Sequence, residues 1–210
     1  MIIKNISNDS FSSIIGLEDI KKQLRSALIL GRHVVLVGGP GMGKTTMVKD
    51  VAKMINQEKE VFVRVQGSPD LTVEDLIGDI DPLKAMEYGP LSKEAFTPGK
   101  IFKADGGILF FDELNRCSQR LQNALLQVLE EKKVTIGRFD VDVDVDFVFI
   151  GTMNPQDTNT EPLSDVLLDR FDLIYVHYPT KQQDEEQIVR ARGQKLVEFP
   201  AELYAGMIEF

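Results

Sequence analysis

The stretch Gly38-Gly39-Pro40-Gly41-Met42-Gly43-Lys44-Thr45 fits the spacing G-x-x-x-x-G-K-[ST], a phosphate-cradling pattern. It directly follows the apolar run Val34-Val35-Leu36-Val37. A strand that ends in a glycine-rich turn and enters a helix at Lys44 aims several backbone N–H groups into one concavity. That concavity lies at the positive end of the helix dipole, where phosphate oxygens bind. The glycines permit positive φ and close backbone approach, which a Cβ would block. Lys44 can then reach β- and γ-phosphates, and the Thr45 hydroxyl can ligate Mg²⁺. The competing reading is a glycine-rich turn with an incidental lysine. The strand before and the helix after favour a nucleoside triphosphate site.

Three further groups could complete that chemistry. Ile108-Leu109-Phe110-Phe111-Asp112-Glu113 is a buried-looking strand that ends in two carboxylates. Asp112 suits the Mg²⁺ of the phosphate loop, and Glu113 suits polarising a water beside the γ-phosphate. Alone, the pair could be a solvated strand end. Phe147-Val148-Phe149-Ile150-Gly151-Thr152-Met153-Asn154-Pro155 ends a second such strand in an amide. Strand C-termini of a parallel sheet gather at one edge, so Asn154 is expected near Lys44 and Asp112, orienting the water or sensing the γ-phosphate. By itself Asn-Pro signals a turn. Leu167-Leu168-Asp169-Arg170-Phe171-Asp172 sets an arginine between apolar anchors. Arginine suits a transferring phosphoryl group; an ion pair with Asp169 or Asp172 is the plainer alternative.

These residues need a scaffold. Five apolar runs, Val34–Val37, Val61–Val65, Ile108–Phe111, Phe147–Ile150 and Leu173–Val176, have the composition of buried parallel strands. Helical segments separate them, so a three-layer α/β sandwich is expected. Ile20, Leu24, Ala27 and Leu28 fall at helical spacing within 18–30, Thr45–Ile55 continues from the phosphate loop, and Leu121, Leu125, Val128 and Leu129 mark a helix over 118–132. The connection Gly67–Gly107 is longer than a βα link needs, and long connections are often functional. Ser68-Pro69-Asp70 reads as a helix start within it, with Ser68 as N-cap, and Gly89-Pro90 and Pro98-Gly99 break it into short pieces. Phe139–Phe147 alternates strictly, placing Asp140, Asp142, Asp144 and Asp146 on one strand face opposite Val141, Val143 and Val145. Val134-Thr135-Ile136, before a Gly137-Arg138 turn, supplies the other arm of a hairpin. Carboxylates along an extended face do not converge as a calcium site requires, so a solvated acidic face is the better reading.

The whole chain sets bounds. Its 210 residues hold one α/β domain plus a fragment of a second, and 43% apolar with 27% charged residues is ordinary for a globular protein. A formal charge of −9 argues against broad attraction to nucleic acid or acidic membrane, though a local basic groove stays open. Cys117 is the single cysteine, which excludes an intrachain disulfide and suits a reducing compartment. No apolar run approaches the ~18–20 residues of a membrane span, and MIIKNISNDS lacks a signal-peptide core. A cytoplasmic protein is expected.

GGPGMGKT, ILFFDELNR, FIGTMNP and LLDRFD, in this order and spacing, resemble the Walker A, Walker B, sensor 1 and arginine-finger motifs of AAA+ ATPases. Within that superfamily the long insert, FTPGKIFKADGGILFFDELNR and LLQVLEEKKVTIG are similar to the MoxR and magnesium-chelatase I-subunit group, over about residues 11–180. The resemblance implies a P-loop fold with a five-stranded parallel sheet in the order 5-1-4-3-2, a helix-2 insert at Gly67–Pro98 and a β-hairpin before sensor 1 at Val134–Asp146. It implies ATP and Mg²⁺ as cofactors. Gly39, Pro40, Gly41, Met42, Gly43, Lys44, Thr45 and Thr46 would surround the phosphates, and Thr45 and Asp112 would hold Mg²⁺. Glu113, Asn154, Arg170 and Lys44 would act in catalysis, and Ile14, Ile15 and Gly16, in IIGLEDIKKQL, would contact adenine. It also implies a ring, commonly a hexamer, with Arg170 completing a neighbour's site.

The expected division is an ATPase domain over 1–180 and the start of a helical lid over 181–210. That lid looks truncated: Lys181–Arg192 and Ala201–Phe210 could form only its first helices, and Arg190 and Arg192 come too early for its second sensor. The reading that results is an ATP-hydrolysing module that remodels or assembles a protein complex, with a client or an adhesion-domain partner encoded elsewhere. Two other classes stand beside it: a DNA-processing motor related to MCM-type helicases, disfavoured by the acidic hairpin, and a nucleotide-dependent scaffold with little turnover. A metabolite kinase would not need the acid pair, amide and arginine in this order.

Overall fold

The computed structural model describes residues 11–57, 61–89, 92–136, 141–157 and 160–192. The chain opens with α1 (Glu18–Ile29), followed by β1 (Val34–Val37), α2 (Lys44–Gln57) and β2 (Phe62–Gln66). The long connection then folds as α3 (Val73–Ile77), β3 (Gly78–Ile80), α4 (Pro82–Tyr88), β4 (Phe96–Pro98) and α5 (Lys100–Lys103). After it come β5 (Ile108–Asp112), α6 (Gln119–Glu131), β6 (Lys133–Ile136), β7 (Val141–Asp144), β8 (Val148–Met153), α7 (Asp165–Leu168), β9 (Asp172–Tyr175) and α8 (Gln182–Arg192).

Five strands form one parallel sheet in the order β2-β5-β8-β1-β9. Counting only its members along the chain, this is 5-1-4-3-2, as the resemblance implies. In register, Val34 of β1 lies opposite Ile150 of β8 and Asp172 of β9, while Gln66 of β2 lies opposite Asp112 of β5. The sheet is covered on both faces. Val34 and Leu36 pack with Ile20, Leu24 and Leu28 of α1 and Met47, Val48 and Val51 of α2. Val35 and Val37 turn the other way, into a layer with Phe111, Phe149 and Leu121, Leu125 and Val128 of α6. Alternation along the strand thus feeds two cores, which is why β1 is apolar at every position.

Local chemistry sets the element ends. Glu18 and Asp19 occupy the first turn of α1, where acids complement the dipole. Its C-terminus closes with Gly31 at φ 67, Gly31 N–H donating to Leu28 O and Arg32 N–H to Ala27 O. This paired arrangement satisfies the last carbonyls and aims the chain into β1.

Two expectations change. The helix in the long connection starts at Val73, not at Ser68-Pro69. Ser68 instead accepts from Leu71 N–H in a turn. Thr72 and Asp75 form a reciprocal capping box, which satisfies two orphan donors where Ser68 offers one acceptor. The acidic strand is also shorter than Phe139–Phe147: β7 pairs with β6 antiparallel from Val141 to Asp144. At Val145 the chain leaves the ribbon, with Val145 buried and Asp146 N–H donating to the Asp105 carboxylate. Asp142, Asp144 and Asp146 are exposed, and Asp146 pairs with Lys132 at 2.9 Å. Asp140, the Gly137-Arg138 turn and residues 201–210 lie outside the described residues. No helix among the described residues is long and apolar enough to cross a membrane.

Candidate functional site

The C-terminal ends of β1, β5 and β8 converge with the N-terminus of α2. Gly38 leaves β1 with its N–H on Met153 O at the end of β8 (3.1 Å). Gly41 and Gly43 take φ values of 74° and 80°, the left-handed region where a side chain adds strain. Lys44 opens α2 and folds back, its Nζ donating to the carbonyls of Gly38 (2.7 Å) and Gly39 (2.6 Å). Burial pushes its pKa below the ordinary lysine value, against an upward pull from Asp112 and Glu113.

Asp112 is 6% exposed and collects three side chains. The Thr152 hydroxyl donates to Oδ1 at 2.6 Å, the Thr45 hydroxyl to the same oxygen at 3.2 Å, and the Arg64 guanidinium to Oδ2 at 2.7 Å. Glu113 adopts φ 59 and ψ 53, unusual for a residue with a Cβ. Its N–H donates to Thr152 Oγ1 (2.9 Å), so one hydroxyl bridges the side chain of Asp112 and the backbone of Glu113. The Glu113 carboxylate accepts from Gln66 Nε2 (2.8 Å) and ion-pairs with Arg116 (3.1 Å). Gly67 N–H donates to Asp112 O, which ties the root of the long connection to the same turn.

Asn154 and Arg170 stand differently. The Asn154 side-chain oxygen accepts from Gln156 N–H (3.2 Å) and its carbonyl from Asn115 Nδ2 (2.9 Å), so its contacts run to the turn after Glu113. Arg170 pairs with Glu130 of α6 at 2.7 Å rather than with the phosphate loop, Asp169 or Asp172. Asp172 pairs instead with Arg32.

Beside the loop lies a cavity of about 630 Å³, within the range of small-ligand sites. Ser13, Ile14, Ile15 and Leu17 form one wall, Gly41, Met42, Gly43 and Thr46 the floor, and Tyr178, Pro179, Glu185, Ile188 and Val189 the other wall. Gly16 is not in the lining. It turns at φ 68, where a Cβ would come within 2.7 Å of Asp184 Oδ2. Asp19 and His177 (3.2 Å) join the two walls outside the cavity. The His177 pKa is raised, chiefly by its bond to Tyr178 O and then by Asp19.

The residues present fit a magnesium nucleotide. Mg²⁺ in phosphate sites takes one or two protein oxygens plus phosphates and water, and Asp112 with Thr45 is such a hard-oxygen pair. Sequence reasoning assigned no role to Arg64, Gln66 or Thr152, and it read the α8 segment as the start of a lid without placing Ile188 and Val189 in this cavity. Arg64 and Gln66 did carry a signal: two polar residues two apart on an otherwise apolar strand share one face.

Residues 33–171 match the family described as AAA domain (dynein-related subfamily). Chaperone MoxR1 of Mycobacterium tuberculosis is 31% identical over 179 residues, 84% of this chain and 45% of that protein. The magnesium-chelatase 38 kDa subunit of Chlorobaculum parvum is 29% identical over 203 residues, 78% of this chain and 57% of that one. A crystal structure of a putative ATPase from Cytophaga hutchinsonii superposes with a TM-score of 0.64 at 27% identity, covering 90% of this chain and 55% of the other. The chain spans about half the length of the curated relatives it matches. It belongs to the AAA domain family, in the dynein-related subfamily, with MoxR chaperones and magnesium-chelatase subunits among its relatives.

Proposed function

We propose that this chain binds ATP with Mg²⁺ and hydrolyses it within a ring of like subunits, commonly a hexamer, and that turnover remodels or assembles a protein complex. The observation that carries this reading is the buried Asp112, bonded to Thr45 of the phosphate-loop helix, with Glu113 fixed beside it. Bound Mg²⁺ would supply positive charge to the phosphate oxygens. Asp112 and Thr45 would hold it. Lys44 offers a full charge whose partners in this structure are two neutral carbonyls, and the loop amides around Gly39–Thr46 complete the anion cradle. Ile14, Ile15, Ile188 and Val189 give the neighbouring cavity apolar walls suited to a planar base.

Glu113 takes the proton of the attacking water, and Asn154 holds that water in place. Both Glu113 partners, Gln66 and Arg116, are exchangeable side-chain contacts. Arg170 acts on a neighbour's nucleotide, neutralising charge on the transferring group. The remodelling role draws on the word chaperone in the name of the MoxR1 relative. Exposed Asp142, Asp144 and Asp146 favour a basic or neutral protein segment over a phosphate backbone. The proposed division is an ATPase domain over residues 1–180 and the start of a helical lid over 181–210, to which α8 belongs.

One experiment tests both halves. Glu113→Gln should bind ATP and release no phosphate, and Arg170→Ala should bind ATP with depressed release. Mixed, the two should hydrolyse faster than either alone, because the Glu113→Gln subunit lends its Arg170 to a neighbour whose Glu113 is intact. Undiminished turnover by Glu113→Gln removes Glu113 from its role, and a mixture that never recovers removes Arg170 from the neighbour's site.

A further inference from the structure

The Walker B aspartate carries a cation that the proposed chemistry does not use. Arg64 sits on β2, at the open edge of the sheet and two residues before Gln66, the register partner of Asp112. Its guanidinium crosses the Phe110 ring at 5.8 Å from the centroid and reaches Asp112 Oδ2 at 2.7 Å. The pair is lopsided: the Arg64 side chain is 48% exposed and that of Asp112 8%. A carboxylate that far from water needs countercharge as well as hydrogen bonds. Thr45 and Thr152 supply hydrogen bonds only, and Lys44 is engaged with Gly38 O and Gly39 O. Among the described residues, the salt-bridge partner of Asp112 is Arg64.

We propose that Arg64 is an exchangeable counter-cation for Asp112, holding the carboxylate when no divalent ion is there and competing with that ion for it. This rests on the reading of Asp112 as the Mg²⁺ ligand. A divalent ion and a guanidinium on one carboxylate repel each other, and the partner free to leave is the half-exposed arginine. Departure uncovers little packing, and Gln66 Oε1, already 3.2 Å from Arg64 Nη2, offers an alternative acceptor. Arg64 is therefore a positioning residue that acts through Asp112: it keeps the site ordered without metal and sets how much free Mg²⁺ is needed to load it. A purely structural clamp between β2 and β5 predicts the opposite sign, because losing the clamp would loosen the metal site.

The test is a Mg²⁺ titration of the full chain at fixed concentration of a fluorescent ATP analogue, read as analogue bound. Arg64→Ala should reach half-saturation at about three- to tenfold lower Mg²⁺, the range expected for removing one partly exposed competing charge. Arg64→Lys should stay near wild type. Arg64→Gln keeps the stem over Phe110 and should shift like alanine if the alanine protein folds poorly. An unchanged or raised Mg²⁺ requirement in the neutral variants overturns the proposal. Asp112→Asn separates it from the reading beneath: an unchanged requirement there removes Asp112 as the ligand and this proposal with it. A shift in Asp112→Asn without one in the Arg64 variants overturns the proposal alone.

Discussion

Thr152→Val is the substitution that most directly probes how the acid pair is held. Valine keeps the shape and removes the hydroxyl, which is 1% exposed as part of Thr152. That hydroxyl donates to Asp112 at 2.6 Å and accepts from Glu113 N–H at 2.9 Å. A hydrogen bond to a charged group contributes ~1.5–3 kcal/mol, and a donor left without a partner costs ~1–3 kcal/mol. Allowing for relaxation, Thr152→Val should destabilise the protein by about 3 kcal/mol. Thr152→Ser keeps both bonds and loses one methyl, at about 1 kcal/mol. The effect on turnover should be as selective. Glu113 is held at φ 59, a conformation costing an L-residue roughly 1–2 kcal/mol, and its N–H bond to Thr152 helps to keep it there. If Glu113 activates water as proposed, freeing it from that bond should move the carboxylate out of place, and phosphate release should fall about tenfold or more, each ~1.4 kcal/mol being a factor of ten. Urea unfolding of the nucleotide-free protein gives the first quantity and steady-state phosphate release the second, with fluorescent-nucleotide binding to show that the phosphate loop survives. If the valine and serine proteins match in stability and turnover, the bridging role of the hydroxyl is refuted.

Two further perturbations follow from the same scaffold. Burial pushes His33 from 6.5 down to about 4, with Lys132 adding to the shift and Asp146 opposing it, while its Nδ1 accepts Phe149 N–H at 3.0 Å. The fold therefore favours neutral imidazole: this stability is complete above pH 6.5 and is lost as pH falls toward about 4, by up to about 3 kcal/mol. Urea midpoints of wild type should drop more steeply across that window than those of His33→Asn, and parallel curves would count against it. At Gly67 a Cβ would meet the Glu113 carbonyl oxygen at 2.1 Å and Asp112 O at 2.9 Å, contacts that no side-chain rotation relieves. Gly67→Ala should cost about 2 kcal/mol or more and slow phosphate release. Wild-type melting and turnover would show that the turn has slack.

The parts of the site that were legible in the sequence are those carried inside one strand-turn-helix unit. Lys44 and Thr45 follow their strand within a few residues, and Asp112 and Glu113 end one. Thr152 and Arg64 were not legible in that way, because their meaning comes from neighbouring strands. With the order β2-β5-β8, Gln66 lies opposite Asp112, and Phe111 opposite Gly151, so the next residue along, Thr152, arrives beside Asp112. Arg64 shows only as a polar position two from Gln66, with nothing in that spacing to name Asp112 as its partner, and Thr152 leaves no local spacing to read. Ser68 failed for a different reason: two capping signals competed within five residues, and the reciprocal one at Thr72 and Asp75 won.

A helix over Lys181–Arg192 was expected, but the place of α8 at the cavity was hidden because its sequence, QQDEEQIVRAR, has no stripe: Ile188 and Val189 are adjacent rather than three or four apart. No residue from Gln182 to Ala191 is fully buried, yet these two side chains, with Tyr178, Pro179 and Glu185, form one wall of the cavity beside the phosphate loop. A helix that buries so little opens at a lower free energy than the sheet and the helices packed on it. A ligand that fills the cavity supplies the apolar contacts α8 lacks, and binding of that kind stabilises the closed state by mass action. The phosphate loop is thus built on the most firmly packed part of the chain, and the opposite wall of its neighbouring cavity on one of the least. Protection of α8 amides from hydrogen exchange should rise on addition of nucleotide far more than that of β1 or β5, and equal protection with and without nucleotide would show that α8 does not close on the ligand.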